Sequence, residues 1–352
     1  WQGPKAMAGF DRPFAKQNLI APNRQRAHHH QRILVVNVGA SRAYRTVSAV
    51  VGGHAVFNPC AAGWTMMNHA AQHALEFTGE NPCFSPPRRR VIRMHNDWLQ
   101  PDWPAPSGVG AVMTTRKGGV SVRPFDTMNV GVRVGDDGAA VEVNRKELAQ
   151  AVRAEPIFLH QVHGVRVVQL AAPELRAALD DRDRRNRELI EADASFTWQT
   201  GVACVVQVAD CMPVLMASRD GRMVGAAHAG WRGLAAGILP ATLRAMSKVA
   251  NCDASNFHVW LGPCIGPQHF EVGEDVLRVF PQHPMHFKEA PRADGSMRWL
   301  ADLPSIARDM LKDIGVASIH GGDWCTVSEA HRFFSYRRDA QTGRHAAAIW
   351  IK

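Results

Sequence analysis

"VADCMPVLMASRDGRMVGAAHAGWRG" occupies residues 208–233, and its reading decides the fold around it. Asp220-Gly221 is a two-residue hairpin signal, because both central positions of a type I′ turn need positive φ. Short apolar runs at 214–217 and 223–227 flank it and suit buried strands. With Asp220 and Gly221 as the loop, Arg219 faces Arg222, Pro213 faces His228 and Cys211 faces Gly230. Residues two apart on a strand share a face. Cys211 and His228 are then diagonal neighbours at the open end of the hairpin, roughly 7–8 Å apart at Cα, a gap that a metal ion can bridge. A buried thiol beside a core histidine is the plainer reading of the same pair. Pro213, which cannot donate to a ladder, weakens the pairing.

Working outward, "FLHQVHGVRVV" (158–168) places His160 and His163 just before a β-branched run. His163, Cys211 and His228 would make a mixed nitrogen and sulfur site of three protein ligands. Zinc sites of that kind leave a fourth position to water or substrate and are catalytic. Local spacing is silent on whether His163 reaches the hairpin.

Composition sets the frame. The chain has 352 residues, enough for one large domain or two, and is 46% apolar and 21% charged, ordinary globular usage. No stretch approaches the roughly 20 apolar residues of a membrane span. Seven cysteines without a C-x-x-C pair fit a reducing, cytoplasmic setting and argue against a four-cysteine zinc site. The net charge of +9 lies wholly in residues 1–93, with 12 Lys and Arg against 3 Asp and Glu; residues 94–352 carry 29 of each sign. The larger part therefore gives no electrostatic reason to expect nucleic acid as a partner.

Residues 1–93, with His28-His29-His30 and Arg88-Arg89-Arg90, read as a basic, poorly ordered extension. Within it, 33–38 suits a strand and 70–77 a short helix. From Met94 a regular pattern begins. Strands are expected at 109–114, 165–170, 202–208, 257–261 and 346–351. Helices are expected at 139–152, behind Asp136-Asp137-Gly138, and at 234–249, 274–280 and 305–314. Pro240 in the second of these marks a kink or a late start. The charge-dense stretch 173–190 reads as an exposed helix or lid. Strands and helices mix without a strict βαβ rhythm, which favours an α+β fold with a mixed sheet. There is no dinucleotide fingerprint and no P-loop.

The segments TTRKGGVS (114–121), MNVGVRVGDD (128–137), VNRKEL (143–148), HQVHG (160–164), ADCMPV (209–214), AAHAGWRG (226–233), LGPCIGPQHFEV (261–272), WCT (324–326) and FFSYRRDAQTGR (333–344) follow one another in order. In this they resemble the YfiH family, also labelled laccase-domain or multicopper polyphenol oxidoreductase proteins and purine nucleoside phosphorylases. The resemblance spans about 109–351 and covers nothing before about Met94. It implies a mixed-sheet α/β sandwich of the cytotoxic-necrotizing-factor type of cysteine hydrolase. It also implies His163, Cys211 and His228 as metal ligands, so that it and the hairpin pairing select the same Cys and His.

The resemblance further implies phosphorolysis of adenosine, inosine and methylthioadenosine, with adenosine deamination at the same centre. Nucleoside and phosphate are then the partners, and Zn2+ the cofactor, with Cu2+ as its rival. Deamination needs an activated water, which zinc supplies. Asp210 is a candidate for proton transfer or, equally, a turn cap, and the H-x-E and P-C-x-x-C patterns of nucleobase deaminases are absent. Phosphate suits arginine, whose planar fork is bidentate; Arg116, Arg232 and Arg337 stand in matching motifs, Arg232 just before a helix. Asn129 is a candidate for a ribose hydroxyl or a chain turn, and Trp231 for a purine face or the core. Cys264 reads as a structural thiol. Three readings compete: a copper phenol oxidase, a cysteine hydrolase or peptidoglycan-precursor editing factor built on Cys211, and a non-enzymatic binding module. Two departures from the family pattern, the stretch 176–191 and Pro240, touch no proposed ligand.

Overall fold

The computed structural model describes residues 34–40, 43–49, 95–170 and 190–352. The chain divides into two units, Trp1–Phe84 and Ser85–Lys352. In the first, β1 (Leu34–Ala40) pairs antiparallel with β2 (Ala43–Ala49), Leu34 opposite Ala49. The strand expected at 33–38 corresponds to β1. Polar Arg45, Thr46 and Ser48 mask the pattern of β2. The helix expected at 70–77 lies outside the described residues, as does the stretch 173–190 apart from Ile190.

In the second unit, the strands are β3 (Val109–Met113), β4 (Glu155–Ile157), β5 (Val167–Gln169), β6 (Ala194–Thr197), β7 (Val202–Val208), β8 (Met212–Ser218), β9 (Val224–Ala229) and β10 (Phe257–Leu261). Next come β11 (Glu271–Val272), β12 (Phe287–Glu289) and β13 (Trp299–Ala301), then β14 (Ser318–Gly321) and β15 (His345–Ile351). A six-stranded sheet runs β14-β10-β8-β9-β6-β5 and a four-stranded sheet β3-β15-β7-β4. Both are mixed: β10 with β14, β5 with β6 and β4 with β7 are parallel, the other pairs antiparallel. β11, β13 and β12 form a small antiparallel sheet.

Period-two patterning builds the layers. Leu215 and Ala217 of β8 meet Cys204 and Val206 of β7 and Ala347 and Ile349 of β15 in a core between the two large sheets. Val214 and Met216 turn to the opposite face, where α3 (Ile238–Ala250) and α5 (Leu303–Asp313) contribute Leu243, Met246, Ile306 and Leu311. Ala203 and Val205 of β7 likewise face Leu148 and Val152 of α1 (Gly138–Val152). This is the mixed-sheet α/β sandwich expected, with helices on both outer faces.

The hairpin register is the expected one, Pro213 opposite His228 and Met212 opposite Ala229. The turn differs. Among residues 219–222 only Gly221 has positive φ, at 72°, so this is not a type I′ turn. Ser218 donates from its N–H to the Met223 carbonyl and Gly221 to the Ser218 carbonyl, a four-residue loop that keeps the same facing pairs. Asp220 closes it by accepting from Ser218 Oγ and the Arg222 N–H.

The helix expected at 234–249 is two: α2 (Trp231–Ala235) and α3, divided at Gly237 with φ 92°. Pro240 is the third residue of α3, where its missing N–H has no intrahelical acceptor, so it marks a late start and not a kink. Arg232 accordingly lies inside α2, not ahead of a helix. α1 begins where expected: Asp137 caps it by accepting from the Ala139 N–H at 3.1 Å. The remaining α-helices among the described residues, α4 (Glu274–Arg278) and α6 (Tyr336–Asp339), are single turns. No helix among the described residues is long and apolar enough to cross a membrane.

Candidate metal centre and cleft

Cys211 stands at the bend between β7 and β8. Asp210 before it adopts φ 92°, an uncommon conformation for a residue other than glycine. Its carboxylate holds that bend: Oδ1 accepts from Thr326 Oγ1 at 2.5 Å and Oδ2 from the Arg337 N–H at 2.6 Å. The Asp210 carbonyl also accepts from the Ile265 N–H. Both carboxylate oxygens are engaged, and their partners are distant in sequence and not in the local turn.

His163 is likewise left-handed, φ 62°, at the tip of a turn gathered by Asp193. Asp193 Oδ1 accepts from the His163 N–H at 2.9 Å, and Oδ2 from Val162 and Gly164 at 3.2 and 2.7 Å. The same carboxylate lies 2.8 Å from His228 Nδ1. Burial works against the charge of Asp193, but the His228 and Gly164 bonds outweigh it and hold the carboxyl below its usual range. An ionised Asp193 fixes the proton on His228 Nδ1 and leaves Nε2 as the ligating atom. Asp193 has no motif signal: it lies 30 residues from His163 and 35 from His228.

The fold therefore brings together the three side chains singled out from the sequence. Their ligating atoms lie within 4.8 Å of one another, with Cys211 Sγ 3.7 Å from His163 Nε2. Zn–S and Zn–N bonds of usual length give a tetrahedral edge of about 3.6 Å, so the donors fit a metal with small adjustment. Gly230 completes the cradle: a Cβ there would meet Cys211 Sγ at 2.8 Å and His163 Cδ2 at 3.0 Å. Burial opposes a charged Cys211, but the positive His228 and bonds from both histidines overcome it and bring the thiol down to about 6. His228, against the same burial, rises to about 9 beside Cys211 and Asp193. A thiolate so prepared is a metal ligand and equally a nucleophile.

These side chains border a cleft of about 620 Å³. Its wall carries four arginines, Arg133, Arg232, Arg337 and Arg344, with Trp231, Phe270 and Tyr336 as aromatic faces. The Arg232 guanidinium lies 4.3 Å over the Trp231 ring, and Arg337 Nη1 donates to the Glu271 carbonyl. Arg344, absent from the sequence reading, is largely buried, which lowers its pKa against the pull of Cys211 and Asp210. Two expected substrate residues lie elsewhere. Arg116 pairs with Asp126 at 3.1 Å, donates to the Ala330 carbonyl and stacks on Phe334. Asn129 is fully buried; it donates to Asp136 and the Gly131 carbonyl and accepts from Gly131 and the Arg344 N–H. It turns the chain and positions Arg344. Cys264 is a buried thiol whose pKa is raised by burial, as its apolar setting suggests.

A sequence model of the multi-copper polyphenol oxidoreductase laccase family matches residues 110–352. The chain belongs to this family. Relatives include a purine nucleoside phosphorylase of Pseudomonas aeruginosa, 45% identical over 259 residues, 73% of this chain and 99% of the relative. The purine nucleoside phosphorylase YfiH of Escherichia coli is 42% identical, covering 72% and 98%. Among solved structures, Neisseria meningitidis protein NMB0706 superposes with a TM-score of 0.65 at 42% identity, covering 73% of this chain and 99% of that one. YlmD of Geobacillus stearothermophilus gives 0.65 at 31% identity, covering 72% and 96%.

Proposed function

We propose that the chain is a zinc-dependent purine nucleoside phosphorylase acting on adenosine, inosine and methylthioadenosine, with adenosine deamination at the same centre and residues 94–352 as the catalytic domain. The observation that carries this reading is the convergence of Cys211, His163 and His228 on a cleft whose wall also holds Arg232, Arg337 and Arg344. The names of the relatives support it. Zinc on the three side chains would supply a bound water with a pKa near 7. The arginine forks offer phosphate bidentate, charge-assisted bonds, and Trp231, Phe270 and Tyr336 offer faces for a purine. Asp193 orients His228, and Asp210 aims Cys211 and Arg337, a positioning part that replaces proton transfer.

The test gives the purified chain adenosine and phosphate, and measures adenine, ribose 1-phosphate and inosine beside its metal content. Zinc-loaded protein is expected to form all three, and Cys211→Ala none. Stoichiometric zinc without any adenine would overturn the reading.

A second reading, a cysteine hydrolase on the cytotoxic-necrotizing-factor type of fold, is favoured by one observation. Cys211, His228 and Asp193 stand as nucleophile, base and orienting carboxylate. Hydrolysis of a peptidoglycan-precursor amide by metal-free protein, blocked by an electrophile on Cys211, selects it. Copper in place of zinc, together with phenol oxidation, selects the oxidase reading.

A further inference from the structure

Pro281-Gln282-His283-Pro284-Met285-His286 has no part in the cleft. Pro284 opens a 3-10 turn, Pro284–His286, and the His286 N–H donates to the His283 carbonyl at 3.1 Å. Residues three apart eclipse in such a turn. His283 and His286 therefore stack side by side, ring centroids 6.2 Å apart and planes at 23°. Asp309 of α5 meets both: its Oδ2 is 2.7 Å from His286 Nε2 and 3.9 Å from His283 Nδ1.

Three features set this group apart from a surface ion pair. Its three ligating atoms lie within 4.8 Å of one another, close enough to share one ion. His283 is 9% exposed, yet its ring has no hydrogen-bond partner among the described residues; the shared carboxylate oxygen stands 3.9 Å from its Nδ1. The two distances to that oxygen, 2.7 and 3.9 Å, bracket the edge of about 3.4 Å that usual Zn–N and Zn–O bonds require. Side-chain exposure rises from His283 through His286 to Asp309, 11, 19 and 38%, so the open side is left to water.

We propose that His283, His286 and Asp309 form a second, peripheral site for a divalent cation of the zinc class. Two imidazoles and a carboxylate are borderline donors that select such ions over calcium or magnesium. The cation clips the 284–286 turn to α5. It also braces the cleft wall: the His286 carbonyl accepts from the Asp302 N–H, and the adjacent Ala301 N–H donates to the carbonyl of Phe270, which lines the cleft.

The test titrates the chelator-stripped full chain with Co2+ and reads bound cobalt and absorption together. Cobalt on Cys211 gives a thiolate charge-transfer band; cobalt on His283, His286 and Asp309 does not. Because imidazoles elsewhere in the chain can also take up cobalt, the readout is the difference between chains that differ at one residue. His283→Gln and Asp309→Asn are each expected to lose one equivalent and keep the charge-transfer band. Cys211→Ala is expected to lose the band and keep that equivalent. Equal cobalt in wild type and both variants overturns the site. Where a variant fails to fold, crystals of the wild-type chain soaked in Zn2+ decide: an anomalous peak among the three side chains supports the site, and none overturns it.

Discussion

Two histidine clusters in this chain use comparable donors and are held by different means. Around Cys211 the carboxylate is not a candidate ligand but the scaffold. Asp193 is wholly buried and takes four N–H bonds, three from the backbone of the 162–164 turn and one from the His228 ring. At the second cluster the carboxylate is itself a candidate ligand, half-exposed, and only His286 is within hydrogen-bond reach. The first arrangement fixes the ligands before any metal arrives, which is what a centre that positions substrate requires. The second gains its order from the metal and suits a structural clip.

The largest way to break the contrast is Asp193→Ala. It strands His228 Nδ1 and three backbone N–H groups in the interior. A loss of about 3–5 kcal/mol in urea unfolding is expected, with loss of metal at the Cys211 centre. Unchanged stability and metal content would mean that the ligands do not depend on this carboxylate.

The arginines sharpen the comparison by location. Arg232→Ala or Arg337→Ala removes a cleft charge, and a fall of about tenfold to a hundredfold or more in kcat/KM for phosphorolysis is expected. Arg116→Ala lies outside the cleft and should lower Tm while leaving the KM for phosphate unchanged. Rates with phosphate varied, beside thermal melts of all three variants, check this.

Gly230→Ala tests the cradle alone. Its backbone, at φ −68°, accepts alanine, so the fold should hold. The added Cβ crowds Cys211 Sγ and His163. Metal affinity about 10–100-fold weaker, read by competition with a chromophoric chelator, is the expected result. Wild-type affinity would show that the ligands have room to move.

The smallest effect belongs to Asp309→Asn in metal-free protein. A half-exposed ion pair contributes about 0.2–1 kcal/mol, and urea unfolding should fall by no more than that. A loss as large as that of Asp193→Ala would erase the distinction between the two clusters.

Much of the site was legible because its evidence is local. Facing pairs across 208–233 follow from turn position and the period of two, and they survived a wrong turn type because a four-residue loop preserves the same pairs. Strands 202–208 and 257–261 match residue for residue, as largely apolar runs buried on both faces. The break before the second helix was legible only as the late start that Pro240 signals; the apolar spacing runs through Gly237, and only the backbone reveals the left-handed residue there. Arg116 and Asn129 had the chemistry of ligand-binding residues, yet partners within the protein consume it.

By itself, then, the sequence determined the hairpin, the alternation that layers the sheets, and that Cys211 and His228 could meet. A side chain's face and its cross-strand partner depend on parity and on a nearby turn, both written within a few residues. Only the tertiary structure decided which carboxylate holds those ligands, which arginines reach the cleft and where a second cluster forms. Those pairings join Asp193 to His228, Asn129 to Arg344 and His286 to Asp309. Packing of distant elements, and not local spacing, sets which of many similar polar groups share a buried site.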